Sequence, residues 1–484
     1  MAPDELILVT GVTGYVGGCL IPRLLEKGHR VRILVRNPIR LSGRPWLPKV
    51  EVVDGDLLSP GSLDRAMKGV STAYYLVHNM SSGRDYIDQE YDAARKFAEA
   101  AGKGGAGHII YLGGLADPDE EMGLHLRSRL HTGDILRQGS VPVTEFRSCM
   151  IIGSGSISFE MIRYLTEKLP ILMGPRLINN KTQPIAIANV LEYLLSALEN
   201  GSSRGKIYEI GGKNVVSYAE TISTYARLRG LKRSIIVSPW MPVKLMASIA
   251  GMITPVPVSI TGPLLDGMRG NTVVCVDSAR RDFPQIQPID FQTSVLDALH
   301  RLSPAHLGII LENSASSFRI RREGFFIEGQ QLRFQGQPEA AYRAITGLGG
   351  KSGWMYLNWL WKFRGFLDKL VGGPGLRGRR FEAALVEGEI LGFYRVEVLE
   401  LNQRMRIKAE LKAPGLGWME WRIKAHDDGD LTISQIAYFA PHGLIGFLYW
   451  YILHPVHHLV FTGLIKAIVR QARKIQKRYG NYSE

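Results

Sequence analysis

The sequence predicts an α/β domain on a doubly wound parallel sheet, followed by a second, α+β domain, and three observations carry that prediction. Over the first part of the chain, β-rich runs alternate regularly with helical ones. A glycine-rich turn joins the first of those runs to the first helix. Past residue 320 the alternation stops, and several strand-type runs follow one another before a long helical tail. The 484 residues suffice for two or three domains, and 45% hydrophobic with 21% charged residues is globular usage that excludes a disordered or fibrous chain.

Taken in order, Leu6 to Val9 is a short apolar strand. Val16, Leu20 and Leu24 recur at i, i+4 and i+8 and give one face of a helix over 15–27, which Gly28 ends. Further strands are predicted at 31–35, 50–53, 73–77, 109–112 and 143–146, with a helix over 88–101 between the fourth and fifth strands. After Gly153 the regularity loosens into helices over 159–169, 190–198 and 218–228 and a strand at 207–210, read as a small substrate-binding part folded onto the sheet. The first domain is assigned to 1–305, a linker to 306–322 and the second domain to 323–484. There, strands are predicted at 325–329, 381–387, 393–401, 405–411, 418–425 and 431–439, with a helix at 338–346.

The charge balance of 59 Lys and Arg against 45 Asp and Glu favours acidic partners: nucleotide phosphates, nucleic acid or an anionic membrane. Nucleic acid is set aside, because no recognition motif accompanies the charge. Residues 306–484 hold 25 Lys and Arg against 16 Asp and Glu, so the second domain is the basic one. Three cysteines (Cys19, Cys149, Cys275) without C-x-x-C spacing give neither a disulfide framework nor a metal site. With acids where a signal peptide carries Lys or Arg, a cytoplasmic protein is expected. The most apolar stretch, 444–468, is interrupted by His454, Pro455, His457 and His458, so no transmembrane segment is expected. Those histidines can share a helical face but lack the carboxylate pattern of a metal site.

The clearest chemical signal is Thr10, Gly11, Val12, Thr13, Gly14, Tyr15, Val16 and Gly17. In this G-x-x-G-x-x-G turn the glycines permit a tight bend and close backbone approach, so a pyrophosphate can sit on the free N–H groups of a helix N-terminus. The second strand ends where an acid would bind the ribose hydroxyl of NAD, yet Arg36 stands there with Arg40 behind it. Guanidinium forks suit a 2′-phosphate, so NADP is expected over NAD. Asp56 and Leu57 are placed to flank an adenine, and His78 and Asn79 follow the fourth strand at the ligand-binding edge. Ser154, Ser156 and Phe159 open a further helix where a nicotinamide would lie, or form a turn.

TGVTGYVG, LVRNP, DGDL and RSCMIIG make the first 300 residues resemble the atypical, extended branch of the short-chain dehydrogenase/reductase superfamily. That resemblance implies an NADP-binding Rossmann fold and, behind the fifth strand, a Tyr-x-x-x-Lys pair that handles the proton. This chain departs from the pattern: the fifth strand ends Tyr111, Leu112, Gly113, Gly114 without a Ser, His125 occupies the Tyr position and Arg129 the Lys position. His125 can still exchange a proton and Arg129 hold a ribose, with Gly113 beside the cofactor, which keeps a modified reductase. The other reading is a non-catalytic NADP(H)-binding sensor or assembly factor. A literal Tyr164-x-x-x-Lys168 falls one element too late.

GGPGLR at 372–377, Lys412-Ala413-Pro414-Gly415, Trp418-Met419-Glu420 and PHGLIGFLYWYILHPVHH make 324–472 similar to a domain of unknown function found behind this branch, and distantly to the START and polyketide-cyclase helix-grip fold. That resemblance implies a sheet wrapped on a long helix around an apolar cavity. The expected ligand is a small apolar lipid-, quinone- or isoprenoid-like molecule, held between the two domains. Trp354, Trp359, Trp361, Phe363 and Phe366, with Phe447, Tyr449, Trp450 and Tyr451, either line such a cavity or pack as core. From Leu464 to Arg478 a basic amphipathic helix either lies on an anionic membrane or covers the cavity.

Overall fold

The computed structural model describes residues 5–78, 85–117, 119–307, 316–349, 353–378 and 385–480. They form two compact units, Met1–Ile309 and Ile310–Glu484.

The first unit opens β1 (Leu6–Val9), α1 (Tyr15–Glu26), β2 (Arg30–Val35), β3 (Glu51–Asp54), α2 (Pro60–Met67), β4 (Val70–Tyr75), α3 (Asp85–Lys103), β5 (His108–Gly114), α4 (Leu124–Arg137) and β6 (Val143–Ser148). Its sheet has seven parallel strands, ordered Ile207–Ile210, β6, β5, β4, β1, β2, β3. The edge strand corrects the sequence reading, which gave 207–210 to the substrate-binding part. Ile207 pairs with Glu145 and Ile210 with Ser148, since Tyr208 and Ile210 bury their side chains against Phe146 and the helix layer. On one face Leu20 and Leu24 of α1 meet Val190 and Leu194; on the other Ala66, Phe97 and Ala101 cover Ala73 and Ile109. Each fully buried Leu or Phe stabilises this layering by roughly 1.5–3 kcal/mol. The winding reverses between β1 and β4, which opens a cleft at their carboxyl ends. Helices Ile157–Lys168, Tyr218–Leu228, Val243–Ile253 and Val258–Asp266 pack beside the sheet around Met161, Ile222 and Leu265.

The second unit is a seven-stranded antiparallel sheet, ordered Ser317–Arg322, Phe325–Gln335, Asp430–Pro441, Gly415–Ala425, Arg404–Ala409, Tyr394–Glu400 and Ile390–Leu391. Helices Pro338–Thr346 and Asn358–Leu370 and the 38-residue helix Gly443–Gly480 complete it. Three expectations are corrected. The edge strand Ser317–Arg322 lies inside the predicted linker, its Phe318 and Ile320 obscured by Arg319, Arg321 and Arg322. Residues 385–387 of the predicted 381–387 strand form no strand, and 381–384 lie outside the described residues. Most consequentially, the apolar side of the basic tail is core: Leu464, Ile465, Ile468 and Ala472 are buried among sheet residues, and the Arg473 guanidinium lies 5.8 Å from the Phe334 ring. That side is therefore not free to lie on a membrane.

Many of the predicted aromatics pack on one another. Trp354 stacks on Trp361 at 4.4 Å, next to Phe393 and Tyr394, while Trp450 lies between Phe326 and Phe439 at 5.4 Å from each. Trp359, Phe363, Phe366 and Tyr451 instead face solvent. The three histidines do not converge: His454 and His458 approach the buried Glu328 at 3.3 and 2.8 Å, whereas His457 stacks on Phe461.

Candidate functional site

The glycine turn fits tightly between β1 and α1. Gly11 has φ +72°, and a Cβ there would overlap the Leu76 carbonyl, so only glycine suits this position. A Cβ on Gly17 would stand 2.6 Å from the Gly11 oxygen, which presses the helix start against the turn. Gly14 is the N-cap and supplies no side-chain cap, leaving the first-turn N–H groups of Val16 and Gly17 to a ligand. Thr10 lines the cavity as well, and its hydroxyl donates to the Tyr74 carbonyl at 2.9 Å, tying β1 to β4.

The turn borders a cavity of about 920 Å³ whose lining runs from Thr10 to Thr272, wholly within the first unit. At one end Arg36 and Arg40 follow β2, exposed and without an ion pair to any described residue. Asp56 accepts the Leu58 N–H at 2.9 Å in an Asx turn, next to the buried Leu57, and both line the cavity. Gly113 lines it farther along, where a Cβ would meet the Tyr111 ring and Glu145 Oε1. These features fit a dinucleotide laid across the strand ends. The far end is apolar, built by Met161, Leu165, Ile222, Met246, Leu265 and Met268.

Between the two ends a chain of hydrogen bonds reaches the cavity wall. The buried Glu90 of α3 takes Ser128 Oγ at 2.8 Å on one carboxylate oxygen and His78 Nδ1 at 3.1 Å on the other. His78 Nε2 is 3.2 Å from Nδ1 of His125, whose ring lines the cavity and whose Nε2 has no partner among the described residues. Arg129, 9% exposed, donates to the Leu112 carbonyl, lies over the Tyr111 ring and has an unpartnered Nη1. Tyr111 in turn donates to the Arg129 carbonyl at 2.8 Å, fixing the start of α4 against β5.

Burial is the main force on the two imidazoles, with the Arg129 charge adding to it; it pushes His125 down to about 3 and His78 below its ordinary value. Burial alone would raise Glu90, but the His78 bond, the Arg129 charge and the Ser128 bond outweigh it and hold the carboxyl ionised. Proton counting then fixes the roles. With both rings neutral, His78 Nδ1–H points at Glu90, His125 Nδ1–H points at His78, and His125 Nε2 carries a lone pair. One added proton, held as His78 cation against Glu90, reverses the middle bond and leaves Nε2–H of His125 as a donor into the cavity. Such an arrangement can pass a proton that reads out on a single ring atom.

The other candidates are held by their own contacts, although Ser156 lines the cavity. Ser156 Oγ donates to the Ile151 carbonyl at 2.7 Å and accepts the Phe159 N–H as a helix cap, Ser154 takes a bond from Arg163, and Phe159 is core. Tyr164 and Lys168 do not line the cavity: Lys168 Nζ lies over the Tyr164 ring and donates to the Ile253 carbonyl. Asn79 lies outside the described residues. Glu90 and Ser128 were missed from the sequence. Only Ser128 carried a signal, at i+3 from His125 on one helical face.

The comparisons agree with this geometry. Residues 11–138 match the family model NAD(P)H-binding, and 323–464 match Protein of unknown function (DUF2867). A (4-alkanoyl-5-oxo-2,5-dihydrofuran-3-yl)methyl phosphate reductase of Streptomyces griseus is 28% identical over 234 residues, 46% of this chain and 74% of that protein. A ceramide reductase of Caulobacter vibrioides is 31% identical over 179 residues, 36% of this chain and 55% of that protein, so the match spans about half of that relative. Photosystem II assembly factor Ycf39 of Trieres chinensis is 24% identical over 253 residues, 51% of this chain and 76% of that protein. The crystal structure of Citrobacter sp. triphenylmethane reductase complexed with NADP(H) shares the fold at TM-score 0.50 and 21% identity, covering 60% of this chain and 99% of that one. The first unit is an NAD(P)-binding Rossmann domain, and the second carries the DUF2867 domain on its antiparallel sheet.

Proposed function

We propose that this chain is an NADP(H)-dependent reductase of an apolar carbonyl compound, lipid-, quinone- or isoprenoid-like, with His125 passing the proton. The observation that carries the reading is the Glu90–His78–His125 chain, which ends at a cavity shared by the phosphate turn and an apolar wall. Arg36 and Arg40, with no acid at the end of β2, support NADP over NAD. The bound dinucleotide would supply a hydride to the carbonyl carbon. The carbonyl π pair moves to oxygen, which takes the proton from His125 Nε2, and His125 Nδ1 regains one from His78. The step starts from the state in which one added proton sits on His78 against the Glu90 carboxylate, and Arg129 fixes the floor beneath it. The apolar end, made by the first unit alone, supports a water-poor substrate, as does the name of the ceramide reductase.

In the second unit, two helices between the second and third strands and a long helix on the sheet support the helix-grip, START-like reading. Three cysteines that form no disulfide among the described residues support a reducing, cytoplasmic setting. A second reading, a non-catalytic NADP(H)-binding assembly factor, is favoured by the Ycf39 match and by the missing Tyr-x-x-x-Lys pair behind β5. The test is NADPH oxidation against a panel of apolar ketones and quinones. His125→Phe is expected to abolish substrate-dependent oxidation while NADPH binding stays unchanged; a variant as active as the parent would remove His125 from the chemistry.

A further inference from the structure

We infer that the second unit docks on an anionic membrane surface through two adjoining helix faces that the fold leaves open. On Asn358–Leu370 the exposed residues Trp359, Phe363, Phe366, Leu367 and Leu370 fall at i, i+4, i+7, i+8 and i+11, one continuous stripe, with Trp359 64% and Leu370 67% exposed. The opposite side is anchored by Trp361 and by Asp368, which accepts from Gly375 and Lys412 N–H groups. On Gly443–Gly480 a second stripe runs through Ile445, Leu448, Ile452, Val456 and Leu459, with Ile445 72% and Ile452 70% exposed. Arg364 donates to the Tyr449 hydroxyl at 3.4 Å, and both residues sit at the margins of their stripes, so the stripes adjoin.

So many large side chains in one exposed patch mark an interaction surface rather than scattered exposure. The charge around it selects the partner. On the first helix Lys362 and Lys369 flank the stripe and Arg364 stands at its margin, while Asp368 is buried; no Asp or Glu occurs on the long helix from Gly443 to Gly480. Apolar and aromatic side chains on helices whose exposed charges are Lys and Arg match the interface of an anionic bilayer. A second copy of this chain would bring the same positive edge to meet itself, which disfavours self-association. The long helix does not span: its other face buries Phe447, Trp450, Val460 and Leu464 in the unit's own core, and His454 and His458 are held by Glu328. The docking face is thus the aromatic side of 358–370 and the front half of the long helix, not the basic tail.

The test is co-sedimentation of the full chain with vesicles of phosphatidylcholine alone or mixed equally with phosphatidylglycerol. The parent is expected to pellet with the mixed vesicles and to be released by salt. Phe363→Glu with Leu370→Glu, and separately Ile445→Glu with Ile452→Glu, should each weaken pelleting by about tenfold or more. Leu401→Glu, at an exposed turn between two strands and on neither helix, should bind as the parent does. Unchanged NADPH affinity and far-ultraviolet circular dichroism show that the variants fold. A parent that stays in the supernatant with mixed vesicles at low salt overturns the proposal, as do stripe variants that pellet like the parent. So does light scattering that shows a dimer split by the same substitutions, which would assign the face to a second copy.

Discussion

Replacing Glu90 by Gln removes one charge from the relay and keeps its shape. Glu90 is buried and bonds both Ser128 and His78, so the substitution leaves the His78 cation facing a neutral amide. A charge-assisted hydrogen bond is worth about 1.5–3 kcal/mol, and about 1.4 kcal/mol corresponds to one pKa unit. His78, already below its ordinary value through burial and the Arg129 charge, should fall further once the Glu90 charge is gone. The sign follows: the proton-bearing state needed for reduction is lost as pH rises through the His78 value, so losing the anion moves that loss to lower pH. Two readouts report it. Histidine-labelled NMR should show one imidazole titration moving down in Glu90→Gln, and the pH profile of kcat/KM for reduction should shift the same way, with a rate near pH 7 about ten to a hundredfold lower. NADPH affinity should not change. An imidazole titration and a rate profile that both stay where the parent has them would refute the relay.

Three further outcomes follow from the same geometry. Arg36→Ala should shrink the preference for NADPH over NADH by about tenfold, measured by fluorescence titration of each cofactor, because a charge-assisted phosphate bond is lost. Gly11→Ala, which meets both a positive φ and the Leu76 carbonyl, should cost at least about 1–2 kcal/mol of stability in chemical denaturation and weaken NADPH binding more than tenfold. Met161→Lys, at the apolar end, should raise KM for apolar substrates by about a hundredfold with NADPH affinity intact, since an unpaired ammonium resists a dry wall.

The legible parts of this chain are those in which local chemistry decides. The turn from Gly11 to Gly17, the Arg36 position and the exchange of Tyr for His125 stand in the sequence because each is a residue type required, or missing, at a fixed offset from a strand. Glu90 was invisible because nothing in one dimension pairs it with a histidine on another element; only the packing of α3 against the end of β4 does so. The edge strand Ile207–Ile210 read as part of the looser region because its partner β6 lies some sixty residues back, and register is a tertiary fact. In the second unit, aromatic density marked the helix Asn358–Leu370 as core or cavity, yet the same composition supplies both a buried Trp361 and an exposed Trp359. The long helix shows the same ambiguity: its basic half, amphipathic by sequence, turns its apolar side inward, while its front half leaves a stripe outside.

The central claim is that the dinucleotide site and His125 perform one reduction, and the most direct measurement follows the hydride. NADPH deuterated at nicotinamide C4 is incubated with the protein and a panel of apolar ketones and quinones, and products are read by mass spectrometry. The account predicts deuterium on the former carbonyl carbon of at least one ketone product with the parent protein and none with His125→Phe at equal NADPH occupancy. Equal deuterium transfer by parent and His125→Phe, or none by a parent saturated with NADPH across the whole panel, would contradict it.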